Sequence, residues 1–166
     1  MKCMIFVVAA AALAGGLRMM AQSTGASPAI YKSAAEIASG LEKLSGASTS
    51  TATGANVVIS PGVAIRRRSS GGETQFAIIH PYSIEIYQIT EGRGRLVTGG
   101  TLSPPPPAPE DPDVVRSTSI VGGESRTVGR GDVIVVPPGT PHWFSQIDGS
   151  VTYLEAHIRV KPLDGR

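Results

Sequence analysis

The feature that most limits how this chain can fold is a rhythm of short apolar runs, most of them closed by Gly, Pro, Asn, Asp or Ser. The runs are Asn56-Val-Val-Ile59, Val63-Ala-Ile65, Phe76-Ala-Ile-Ile79, Ile84-Glu-Ile-Tyr-Gln-Ile89, Arg95-Leu-Val97, Ser119-Ile-Val121, Arg126-Thr-Val128, Val133-Ile-Val-Val136 and Trp143-Phe144, followed by a longer run from Val151 to Val160. They are rich in β-branched residues and most are too short for core helices, so they read as strands. With 20 glycines and 13 prolines to make the turns, the pattern predicts an all-β domain, a barrel or a double-sheet sandwich of the jelly-roll kind. One segment breaks the rhythm. Ser33-Ala-Ala-Glu36 has the capping-box pattern, in which serine and glutamate each satisfy a backbone N–H of the other. Ile37, Leu41 and Leu44 follow at helical spacing, which predicts a short helix from about residue 34 to 44 with one face on the barrel.

At 166 residues the chain has room for one domain with a real core. Lys and Arg number 15 against 13 Asp and Glu, and residues 1–21 hold Lys2 and Arg18 but no acid, so the remainder is charge-balanced. Such a balance provides no electrostatic footprint for nucleic acid or an anionic membrane. Lys2 followed by the apolar run Met4–Leu13 and then small or polar residues reads as a signal peptide over residues 1–21. That run is too short to span a bilayer, so the expectation is an exported protein, periplasmic or secreted, with no membrane attachment after signal removal. Cys3, the single cysteine, would leave with it.

The mature organisation expected is a flexible lead-in carrying the helix (residues 22–54), a barrel domain (55–160) and a short tail (161–166). Within the domain, the Pro-rich stretch 103–113 contains four consecutive prolines, which cannot donate to a sheet and favour polyproline II. It reads as a stiff exposed loop: a docking peptide, a lid over the barrel mouth, or an insertion without function. Arg66-Arg67-Arg68 reads either as a carboxylate clamp, with one parity pointing inwards, or as solvated edge residues that discourage strand addition, the reading favoured on sequence.

Two stretches keep a tighter spacing. Gly72, His80, Glu85 and Gly92 fall at the intervals of one motif, and Gly131, Pro137, Gly139 and His142 at those of a second. Together they resemble the two motifs of the cupin family. Ile78 stands where the family has its first histidine, and Gln146 where it has a closing asparagine. The resemblance implies a small single-domain cupin, a double-stranded β-helix (jelly-roll) barrel with a short N-terminal helix, with a metal site inside in those members that bind one. Carried over residue by residue, the metal ligands are His80, Glu85 and His142. Two imidazoles and a carboxylate suit Fe(II), the favoured ion, and also accept Mn, Ni, Co, Cu or Zn.

The function implied is a metal-dependent enzyme of oxygenase, decarboxylase, isomerase or lyase type acting on a small polar organic molecule, in a homodimer. The alternative is a non-catalytic cupin that binds a small ligand without metal. Several neighbours carry their own expectations. Pro138 and Gly139 suit the centre of a type II turn that aims His142, and Ile78 should be the inward neighbour of His80. Tyr82, Tyr87, Gln88 and Tyr153 are candidate extra ligands or proton donors, and Trp143 a core or pocket-wall residue. In the last run Leu154, Ala156 and Ile158 form an apolar face expected to point inwards, which leaves His157 on the solvent side or the rim.

Overall fold

The computed structural model describes residues 27–45, 55–70, 75–109 and 111–160. The expected signal peptide, most of the lead-in around the helix, Gly72 and the tail 161–166 lie outside them. Helix α1 (Ala34–Ser45) comes first. Strands β1 (Ala55–Ser60), β2 (Val63–Ser69), β3 (Ala77–Ile79), β4 (Ser83–Thr98) and β5 (Thr101–Ser103) follow. After the Pro-rich loop come β6 (Val115–Ser117), β7 (Ser119–Val121), β8 (Glu124–Gly129), β9 (Val133–Val136) and β10 (His142–Arg159). The architecture is the all-β jelly-roll barrel that the strand rhythm predicts, with one short helix. Among the described residues no helix is long and apolar enough to cross a membrane.

The capping box forms as expected: the Glu36 carboxylate accepts from Ser33 N at 2.7 Å, and Glu36 N donates to Ser33 Oγ at 3.2 Å. That start directs Ile37 and Leu41 onto Ala55 and Val57 of β1, a small satellite core. Leu44, expected on the same face, is exposed instead.

Two long strands organise the rest. β10 pairs antiparallel with β4 from His142↔Thr98 to Arg159↔Ser83, so runs that look separate in the sequence merge into continuous curved ribbons. The ladder bends where its register shifts, between Ile147 and Val151. Gly92 sits at that bend with φ 68°, and a Cβ there would lie 1.9 Å from Ser150 O. Only glycine fits so close an approach. β10 also pairs with β2 over Ser150–Ala156 and with β3 through His142↔Ile78. β8 and β9 pair with successive halves of β4, and β5 with β7 forms a separate two-stranded ribbon. The interior facing β4 and β10 is packed by Tyr87, Ile89, Leu96, Phe144, Val151 and Tyr153.

β2 lies between β1 and β10 and is therefore an inner strand, not an edge. The edge reading of the arginine run is thereby overturned. Arg66 and Arg68 point into the barrel, where Arg66 pairs with Glu155 and Arg68 Nε donates to the Tyr153 hydroxyl at 3.2 Å. Arg67, of opposite parity, reaches Thr152 and Glu91 on the outer face.

Candidate metal centre

His80 follows β3, Glu85 lies near the start of β4 and His142 opens β10, three positions that pairing brings to one end of the barrel interior. The turn before His142 is the expected one: Thr140 N donates to Pro137 O at 3.2 Å, and Gly139 has φ 76°. That positive φ at the third position is what a type II turn requires. The turn is itself tied to the other motif, since Gly139 N donates to His80 O at 3.0 Å. Both histidines are thus held by one backbone contact.

The three side chains converge. His142 Nε2 lies 3.4 Å and His80 Nε2 3.7 Å from the same oxygen, Glu85 Oε1. Each imidazole is oriented through its other nitrogen: His80 Nδ1–H donates to Asp113 O at 3.1 Å, and His142 Nδ1–H to Thr140 O at 3.0 Å. Protonation at Nδ1 leaves Nε2 as a lone pair facing inwards, the tautomer that a metal ligand needs. Glu85 Oε1 and His142 Nε2 are buried and have no hydrogen-bond partner. Buried polar atoms are rarely left so, and a cation between them would satisfy both. The donor set therefore fits a divalent metal ion, with His80, Glu85 and His142 gathered within 4.8 Å of one another.

The second Glu85 oxygen is occupied differently. Oε2 accepts from the buried Tyr87 hydroxyl and faces His157 Nε2 at 3.2 Å. His157 is thus inside, contrary to the sequence expectation. The reason is register: His157 pairs with Glu85, and Glu155 with Tyr87, so the Tyr153, Glu155, His157 parity faces the cavity. Ile158, from the supposed inner face, is 48% exposed. The apolar-inwards rule misleads because this end of the interior is polar. The available signal was the alternation Tyr153-x-Glu155-x-His157, three titratable groups on one strand face.

Glu155 and Glu85 together, in that order of influence, push the His157 imidazole up to about 9, so it is a cation at neutral pH. Its Nε2 approaches them as an ion pair rather than an aligned hydrogen bond. Burial by itself would raise the Glu85 carboxyl, but the contacts with His142 and His157, together with the charge His80 carries once protonated, outweigh it and hold Glu85 well below the usual carboxylate range. Burial chiefly keeps His80 below its ordinary value, against the opposing pull of Glu85. Burial next to Glu85 pushes the Tyr87 hydroxyl well up, so it remains a donor. Glu85, Glu155 and His157 form another close group, but the Arg66 guanidinium on Glu155 already supplies positive charge there.

A cavity of ≈ 340 Å³ opens beside these groups, its wall including Ile78, Trp143, Tyr153 and Arg116. Ile78 borders the site, paired across the ladder with His142. Of the other candidates, Tyr82 packs under Arg159, whose Cζ is 6.0 Å from the ring centroid, and Gln88 is exposed. Gln146 is exposed and donates to Asp148. The Pro-rich loop supplies a residue that spacing could not reveal. Its last member, Asp113, orients His80 through its carbonyl and is itself held by an ion pair with Arg159.

The chain matches the family described as "Cupin" over residues 47–154. Among solved structures it is similar to a cupin protein from Bacteroides fragilis, with 17% identity, a TM-score of 0.42 and coverage of 71% of this chain and 87% of that one. It is also similar to the DMSP lyase DddQ from Ruegeria pomeroyi DSS-3 (20% identity, TM-score 0.39, covering 63% of this chain and 40% of that one). A third is the oxalate decarboxylase of Lactobacillus farciminis (19% identity, TM-score 0.38, covering 58% and 25%). All three likenesses are distant, and this chain spans less than half of either enzyme. A search of curated protein sequences finds no match.

Proposed function

Since the chain belongs to the cupin family, we propose that it is an exported, single-domain, homodimeric cupin in which His80, Glu85 and His142 hold a divalent metal ion, Fe(II) by preference, for chemistry on a small polar organic molecule. The observation that carries this reading is the pair of buried, unpartnered atoms Glu85 Oε1 and His142 Nε2, 3.4 Å apart, beside two imidazoles whose Nδ1–H groups are already committed to carbonyls. When bound, such an ion supplies a Lewis acid or an oxygen-activating centre next to the cavity. With Ile78 in place of a fourth ligand, more of its coordination sphere is left to substrate.

The remaining residues prepare the ligands. Tyr87 and the His157 cation hold Glu85 Oε2, which keeps Oε1 turned to the histidines. The Asp113 and Thr140 carbonyls fix the tautomers, and burial excludes bulk water from the carboxylate. The reaction proposed is one of the classes that the family resemblance implies: oxygenase, decarboxylase, isomerase or lyase.

Elemental analysis of protein purified without added metal tests the centre; about one metal ion per chain is expected, and background levels even after anaerobic Fe(II) addition would favour the non-catalytic ligand-binding alternative. Mass spectrometry of the exported protein should find an N-terminus near Gln22. Light scattering should give the mass of a dimer.

A further inference from the structure

Pairing sets three residues in one row across the barrel wall: Arg116 on β6 opposite Ile78 on β3, and Ile78 opposite His142 on β10. Residues directly opposite in antiparallel strands point to the same face. All three border the cavity. Arg116 is therefore two inter-strand steps from His142, roughly 10 Å between backbones, at the rim of the same opening. It also borders a second groove, lined by Pro107, Pro109 and Asp111 of the Pro-rich loop, and is itself exposed.

The cavity's arginines are committed unequally. Arg66 is bound to Glu155 and Arg68 donates to Tyr153. Arg116 makes no ion pair or side-chain hydrogen bond with another described residue, Asp111 included. It stands beside apolar Ile78, which offers it nothing. A permanently charged planar fork of N–H donors matches the two coplanar oxygens of a carboxylate and binds them bidentately.

We propose that Arg116 is a specificity-determining residue of the site, and that the substrate is a small organic acid whose carboxylate Arg116 holds while its other polar end reaches the face formed by His80, Glu85 and His142. This rests on the functional reading above for the location of the reacting end. Ile78 gives the molecule its spacing. As an apolar residue bordering the cavity, it leaves an apolar stretch between the two anchors that suits a short carbon chain.

The test uses succinate, acetate, neutral succinamide and inorganic phosphate as probes, measured by calorimetry on the metal-loaded protein and on protein stripped with a chelator. In the parent, succinate should bind at least about tenfold more tightly than acetate or succinamide. Arg116→Gln should bring succinate down to the level of succinamide and leave succinamide and metal content unchanged, while Arg116→Lys, retaining charge without the fork, should fall between. In stripped protein all affinities drop, but the preference of the parent over Arg116→Gln for succinate should persist. Elemental analysis reports on the metal reading independently of these ratios. Equal succinate affinity in the parent and Arg116→Gln overturns the proposal whether or not metal is present. So does phosphate binding as tightly as succinate with the same dependence on Arg116.

Discussion

Glu85 and Ile89 lie on one strand, face one interior and are each 1% exposed, yet they belong to unlike halves of the barrel. Ile89 belongs to a core cluster with Leu96, Val128, Val136 and Val151, where burial is favourable because apolar surface leaves water. Around Glu85 the neighbours are three histidines and a tyrosine, and its inner oxygen is left without a partner. Equal burial thus accompanies a satisfied apolar side chain in one half and an unpartnered polar atom in the other. Structures tolerate unsatisfied buried polar groups where something is meant to bind.

The largest expected effect tests the apolar half. Ile89→Ala removes a buried branched side chain from a packed core and should cost about 2–5 kcal/mol in chemical denaturation, with metal stoichiometry unchanged in the folded fraction. If metal falls in proportion to stability, the two halves are not independent. The converse substitution, His142→Ala, should weaken metal binding by more than the 10–100-fold typical of losing a mere supporting partner, while the metal-free protein keeps most of its stability. Retained affinity in this variant would remove His142 from the ligand set.

A smaller gain is expected from Ile78→His. It places an imidazole in the cross-strand position next to His142 and should tighten metal binding about tenfold, read by competition with a chelator. In the metal-free form it should cost on the order of 1–3 kcal/mol, because a polar ring is buried without a partner. Unchanged affinity would show that the side chain at 78 does not reach the ion.

The smallest effects concern pH. His157 is raised from 6.5 to about 9 in the folded protein, so its contribution to metal-free stability is complete below about pH 6.5 and is lost as pH rises through 9. Glu85 and Glu155 are lowered, so theirs is present above about pH 4.5 and is lost on acidification. Denaturation of metal-free protein should therefore show greatest stability between these limits. Glu155→Gln removes the foremost cause of the His157 shift, and NMR titration should find its imidazole moved from about 9 back toward 6.5. An unmoved titration would assign the shift to Glu85 alone.

Features with local causes were readable in the chain. Strand existence followed from β-branched runs between turn residues, the helix from a capping box, and the aim of His142 from a turn that needs glycine at 139. The spacing of two motifs likewise brought together His80, Glu85 and His142, each of which the fold sets at one barrel end. Gln146 and Gln88, plausible by proximity in sequence, face solvent, and two runs that turn residues seemed to divide merged into β10. The ladder carries its bends as register shifts, which no local preference encodes.

What the sequence by itself determined was therefore the set of strands and the small group of ligand candidates, because periodicity, turn chemistry and spacing act over a few residues. Tertiary structure alone decided which parity of β10 faces inwards, that β2 lies inside the sheet, that Asp113 of the Pro-rich loop orients His80, and that Arg116 stands in line with His142. Each of these depends on pairing between strands distant in sequence, where a slip of one residue turns every side chain to the opposite face.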